Sequence, residues 1–252
     1  MPYVESEGVR IHYQVEGAGS ALVLQHGVTD SLASWYEFGY VSALATDYKL
    51  ILLDARGHGG SDKPHEPVAY EPSLFVGDIL AVLDQLHIAK AHFWGYSMGG
   101  RIGFAAAKYA PERFSYFIIG GAHPYREGRE ALTPWLQELR KGAGAIATLW
   151  EVPLSRALQA RLLTNDMDAI VAYWRQRMES PGFEEVLPTL PMPCLLYAGE
   201  ADGRYANAKG CATHIPNATF VSLPGLKHAE GFFRSDLVLP HVTRVLGTVL
   251  AP

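Results

Sequence analysis

Two cysteines, Cys194 and Cys211, are all that 252 residues contain, too few for a disulfide framework. Cys194 lies in the apolar run Pro193-Cys194-Leu195-Leu196-Tyr197, where a thiol serves as a small core residue. A reducing, cytoplasmic setting is therefore expected. No stretch approaches the roughly 18 apolar residues that a spanning helix needs. The start, Met1 to Glu7, lacks the basic segment and apolar run of a signal peptide. An excess of one charge is missing too: 21 Lys and Arg face 26 Asp and Glu, a net charge of −5, with no basic stripe. Nucleic acid and membrane are accordingly not expected as partners.

What is abundant is apolar character, 48% of residues, together with 25 glycines. Disorder is excluded, and the chain is long enough to bury a rigid core. Continuous apolar runs at Ala21 to Gln25, Leu50 to Leu53, Phe114 to Ile119, Cys194 to Ala198 and Thr219 to Leu223 suit strands covered on both faces. Arg10 to Val15 alternates like an edge strand and can pair with Tyr3 to Glu7 through Gly8. Helix-like segments at Leu74 to Leu86, Gly99 to Tyr109, Ala206 to His214 and Leu237 to Leu250 lie between the runs. That alternation predicts an α/β fold with a mostly parallel sheet. From Ala122 to Val186 the rhythm breaks into helical pieces only: Pro134 to Lys141, Ser155 to Leu163 and Met167 to Glu179. Residues 1–121 and 187–252 are expected to form the core and 122–186 an insertion.

Gly95-Tyr96-Ser97-Met98-Gly99 carries the most chemical information. It joins the buried strand Ala91 to Trp94 to an alanine-rich helix stopped by Pro111. Glycines two before and two after Ser97 permit a bend in which a Cβ would collide, and the bend presents the hydroxyl at a helix N-terminus. A serine hydroxyl needs a base and an orienting carboxylate. Asp202 follows the strand that ends at Ala198, in the loop position where α/β sheets place working residues. Glu200 shares that loop and is the alternative. His228 lies in the loop between the last strand and the final helix, whereas His214 ends a helical segment and His241 lies within another. Backbone N–H groups of Met98 and Val28 are the candidate oxyanion donors, since Gln25-His26-Gly27-Val28 closes an early strand. His26 is expected to hold that loop by hydrogen bonds rather than to act in catalysis.

In these residues the chain resembles the α/β-hydrolase superfamily over essentially its whole length. His26-Gly27 looks like the family's oxyanion loop, Asp54-Ala55-Arg56-Gly57-His58-Gly59-Gly60-Ser61 like its structural D-x-R-G-x-G-x-S segment, and Gly95 to Gly99 like its nucleophile elbow. The order Ser97, Asp202, His228 is the family's triad order. The resemblance implies an eight-stranded sheet flanked by helices, with 122–186 as a helical cap. It also implies a serine hydrolase of the esterase or lactonase kind that works without metal or organic cofactor. A serine nucleophile, where epoxide hydrolases and haloalkane dehalogenases of this fold carry aspartate, disfavours those two activities. His26-Gly27-Val28-Thr29 departs from the H-G-G-G loop of the hormone-sensitive-lipase type.

Small to medium apolar esters or lactones are the expected substrates. Trp135, Trp150, Tyr173 and Trp174 are the candidate pocket residues, with Leu136, Leu139, Leu149 and Met178 as further apolar side chains of the insertion. The insertion's charges nearly cancel, eight Lys and Arg against nine Asp and Glu, which gives no preference for an anionic substrate. Two other readings keep the same three residues: a carbon–carbon bond hydrolase or dedicated lactonase, and a ligand receptor built on a hydrolase fold.

Overall fold

Apolar runs too hydrophobic for one wet face form the middle of an eight-stranded sheet. The computed structural model describes residues 2–149 and 153–250. The strands are β1 (Tyr3–Ser6), β2 (Val9–Glu16), β3 (Ser20–Gln25), β4 (Tyr48–Leu53), β5 (Ala91–Tyr96), β6 (Phe114–Gly120), β7 (Cys194–Gly199) and β8 (Ala218–Leu223). Their order across the sheet is β1-β2-β4-β3-β5-β6-β7-β8. The first hairpin, β1 and β2, is antiparallel and β2 runs antiparallel to β4; every later pairing is parallel.

Alternate residues of one strand serve two cores. Val23, Ile51, Phe93, Phe117 and Leu196 point to one face, and Leu22, Leu24, Leu50, Trp94, Ile118 and Leu195 to the other. Each such side chain contributes roughly 1.5–3 kcal/mol on burial, and the period-two split explains why the runs read as unbroken. Before the long middle segment lie α1 (Ala33–Glu37), α2 (Tyr40–Leu44), α3 (Pro72–Gln85) and α4 (Met98–Tyr109). Between β6 and β7 come α5 (Arg129–Leu139), α6 (Gly144–Leu149), α7 (Arg156–Leu162) and α8 (Met167–Glu179), with no strand among the described residues. The chain closes with α9 (Tyr205–Ala212), α10 (Glu230–Phe233) and α11 (Ser235–Leu250). Among the described residues no helix is long and apolar enough to cross a membrane.

Two features differ from the sequence pattern. The segment 33–44 forms α1 and α2, five residues each and joined at Gly39 with φ of 79°, too short to show a helical period. Helix α5 begins at Arg129, five residues ahead of Pro134, so that proline sits inside it. Its ring removes one N–H bond, and the Thr133 hydroxyl donates to the Arg129 carbonyl one turn back at 2.7 Å.

The sheet order also fixes where a site can form. The chain leaves β3 toward β4 on one side and β5 on the other, so a crevice opens at the carboxyl ends of β3 and β5. The loop after β3 and the bend after β5 both end there.

Candidate active site

Ser97 occupies that bend with φ of 54° and ψ of −110°, a strained conformation for a residue with a Cβ. The surroundings hold it: the Ser97 N–H donates to the Gly120 carbonyl at 2.8 Å, and the Arg101 N–H to the Ser97 carbonyl at 3.0 Å. The flanking glycines are required by contact distance. A Cβ on Gly95 would lie 2.1 Å from the Gly99 carbonyl oxygen, and one on Gly99 would lie 2.1 Å from that of Gln25.

Three side chains far apart in sequence meet here. The Ser97 hydroxyl donates to His228 Nε2 at 2.9 Å, and His228 Nδ1–H donates to Asp202 Oδ2 at 2.6 Å. Asp202 is 4% exposed. Burial alone pushes its carboxyl upward, but the hydrogen bond and charge of His228, then Arg204, hold it below the usual carboxylate range. An ionised Asp202 accepts only, which assigns the proton to Nδ1 and leaves Nε2 free to accept. His228 is pulled down by burial and by Arg204, against the opposing pull of Asp202, so its imidazole is neutral at pH 7. Tyr96 adds support by donating its hydroxyl to the His228 carbonyl. Glu200, the alternative acid, is exposed and does not line the cavity.

The loop after β3 runs beside the serine: a Cβ on Gly27 would stand 3.5 Å from Ser97 Cβ. Neither the Val28 nor the Met98 N–H is spent on a hydrogen bond among the described residues. His26 fastens this loop, its Nδ1–H donating to the Gly27 carbonyl at 2.7 Å while Nε2 accepts from the Ala55 N–H at 3.0 Å. Residues between β6 and β7 grip it from above. Asn165 donates to the Thr29 carbonyl at 2.8 Å, and Arg161 pairs with buried Asp30 at 3.0 Å and with Glu37 at 2.6 Å. The 54–61 segment is structural: Asp54 accepts from His12 at 2.7 Å and from the Leu32 and Gly60 N–H groups, each at 2.8 Å. Arg56 forms a buried pair with Asp78.

Ser97 opens onto a cavity of about 390 Å³. Trp135, Tyr173 and Trp174 line it together with Val28, Met98, Phe232 and Phe233. Trp150 lies outside the described residues. Leu136, Leu139 and Met178 instead pack in the interior, where they hold α5 and α8 together, and the side chain of Leu149 is not described. The sequence pattern missed the charged part of the wall: Arg101, Glu127, Arg177 and Arg204. One signal was present, because Arg101 stands in the first turn of α4, where the helix dipole disfavours a cation.

No cysteine takes part. Cys194 and Cys211 are buried free thiols, each pushed up to about 12 by burial. Among the described residues, one group brings three potential metal-ligand atoms within 4.8 Å of one another: His65, Asp166 and Asp168. It lies outside the cavity lining, and Asp166 is already committed to capping α8 and pairing with His65.

The fold is that of a known family. The chain belongs to the alpha/beta hydrolase fold family, which matches residues 20–181. A Bacillus subtilis (strain 168) protein named as a candidate 2-succinyl-6-hydroxy-2,4-cyclohexadiene-1-carboxylate synthase is 33% identical over 171 residues, 67% of this chain and 56% of that one. The chain thus spans little more than half the length of that relative, and matched segments span 36% of two epoxide hydrolases, one of them from Caballeronia sordidicola. A 2-hydroxymuconate semialdehyde hydrolase from Pseudomonas sp. (strain CF600) is 29% identical over 223 residues, 85% of this chain and 72% of that one. Among solved structures, the enol-lactonase from Burkholderia xenovorans LB400 superposes with a TM-score of 0.86 over 98% of this chain and 100% of the other, a likeness of fold at 24% identity.

Proposed function

We propose that the protein is a serine hydrolase cleaving carboxylic ester or lactone bonds of small to medium substrates through an acyl-enzyme. The observation that carries this is the continuous hydrogen-bonded line Ser97–His228–Asp202 at the mouth of the cavity. Ser97 Oγ attacks the substrate carbonyl carbon and its proton passes to His228 Nε2. Asp202 holds the tautomer and stabilises the imidazolium. The oxyanion is received by the N–H groups of Val28 and Met98. As the C–O bond breaks, Nε2 returns the proton to the leaving alkoxide. Water then attacks the acyl carbon, gives its proton to Nε2, and Ser97 leaves with that proton restored. The helices of 122–186 act as a cap, shaping the apolar side of the cavity with Trp135, Tyr173 and Trp174 and excluding water.

Epoxide opening fits this serine poorly. A hydroxyl attacking an epoxide forms an alkyl ether, which a histidine-activated water does not cleave, whereas an acyl ester is released readily. The likeness to the Pseudomonas 2-hydroxymuconate semialdehyde hydrolase favours a second reading, carbon–carbon bond hydrolysis with the same three residues. A panel of simple esters, lactones and ring-fission dienones separates the two. Turnover of esters and lactones is the expected result; cleavage of the dienones alone would replace it with the second reading.

The electrostatics give a pH prediction. The neutral imidazole is the base, and its pKa lies below the ordinary 6.5, so activity falls on the acid side only below that pH. Arg204→Gln removes a positive charge that disfavours the imidazolium, so the acid limb of kcat/KM moves to higher pH. An unmoved limb contradicts His228 as the titrating base.

A further inference from the structure

Among the described residues three guanidiniums line the cavity, Arg101, Arg177 and Arg204, beside three carboxylates, Asp30, Glu127 and Asp202, of which Asp30 and Asp202 are engaged by Arg161 and His228. Arg101 and Arg177 are 8% and 6% exposed. Arg177 pairs through Nη2 with Glu127, and among the described residues its Nη1 has no hydrogen-bond partner. Among the described residues Arg101 forms no ion pair with a carboxylate. Its fork donates to the main-chain carbonyls of Pro124, Tyr125 and Pro181 at 3.3, 3.2 and 2.6 Å, and its guanidinium lies 5.0 Å from the Phe183 ring centre. Burial, then the neighbouring charge of Arg177, push Arg101 down to about 9, still cationic at pH 7.

The other carboxylates of the wall have partners of their own. Among the described residues Asp202 is engaged by His228 and Asp30 by Arg161, and Arg204 adds another cation 3.9 Å from Asp202. Among the described residues Glu127 therefore pairs with Arg177 and acts on Arg101 only through its field, as Glu184 does. On the same wall Trp174 and His123, each 5% exposed, keep Nε1 and Nδ1 without partners among the described residues. Burying an incompletely paired cation and unsatisfied donors is costly. Several such groups on the wall of the cavity that Ser97 also lines are best accounted for by a ligand that supplies acceptors and negative charge.

We propose that the cavity selects substrates carrying a carboxylate remote from the scissile bond, held by Arg177 with the Trp174 N–H as a further donor and Arg101 adding positive field. Arg177 Nη1 and Trp174 Nε1 are closed to water. The carboxylate reaches them as the Arg177 fork turns and is shared with Glu127. This subsite deepens the serine-hydrolase reading and rests on it for the position of the scissile bond. Trp135 and Tyr173, which line the same cavity, offer apolar surface for the spacer.

The test compares monomethyl succinate, glutarate and adipate with methyl hexanoate and with methyl 6-amino-6-oxohexanoate, a neutral ester of the adipate shape. At least one half-ester is expected to be preferred by about tenfold or more in kcat/KM, mainly through KM. Arg177→Gln brings the charged-to-neutral ratio near one, and Glu127→Gln raises it by removing the competing carboxylate. Opposite responses of the two variants distinguish recognition from general damage, and Glu127→Gln keeps the test alive should Arg177→Gln fail to fold. Calorimetric binding of adipate to Ser97→Ala protein reads the subsite without chemistry. Adipate binding with no turnover of any ester supports the subsite while sinking the hydrolase reading. Equal kcat/KM for charged and neutral esters, with adipate bound no better than adipamide, overturns the proposal.

Discussion

Ser97→Ala is expected to lower kcat on ester substrates by a factor on the order of 10⁶ while the protein stays folded. The substitution removes one oxygen, the atom placed to accept an acyl group and to hand a proton to His228 Nε2. The fold does not depend on it. The bend at residue 97 is held by main-chain bonds to Gly120 and from Arg101, and alanine occupies less space than serine. Matching circular dichroism and melting temperature are the control, and any remaining rate comes from substrate positioning and the oxyanion donors.

Gly99→Ala is expected to damage both stability and rate. Its Cβ would sit 2.1 Å from the Gln25 carbonyl oxygen and 2.9 Å from that of His26, and both obstacles are backbone. Either α4 or the end of β3 has to move. Overpacking of this kind costs about 1–3 kcal/mol, occasionally more, and shifting the loop that carries Val28 by about 1 Å costs about 10² in rate. Gly247→Ala is the matched control. Among the described residues no atom beyond the helix's own backbone lies within 4 Å of a carbon added at exposed Gly247 in α11, and helix propensity alone favours alanine by about 1 kcal/mol. Thermal denaturation and kcat for the two variants should therefore diverge. Equal melting temperatures would show that the elbow is looser than its contacts indicate.

The site's backbone elements were legible because they are local events tied to strand ends. Gly95 and Gly99 mark a bend that only glycine permits, and the apolar runs before Ser97 and Asp202 announce the strands that carry them. The sheet was readable for the same reason, since β3 to β8 are short and apolar where two cores demand it. Helices α1 and α2 were not, because five residues cannot display a period and Trp35 and Tyr40 are buried by contacts with distant Trp94 and Phe232. The charged wall of the cavity was hidden for another reason. Counting the charges of 122–186 gives near balance, but the count weighs exposed pairs such as Arg129–Glu179 and Lys141–Glu138 equally with buried Arg177. Arg101 lies outside that segment altogether and enters the cavity from α4. Which charges are desolvated is decided by packing between segments, which no local pattern records.

The most direct test of the central assignment is mass spectrometry of the peptide containing Ser97 after reaction with a fluorophosphonate, at pH 7 and again below the His228 titration. Labelling of Ser97 that is fast at pH 7 and falls away with acid is the predicted result. A label carried by another residue, or an unmodified Ser97 in an enzyme that still turns over esters, would contradict it.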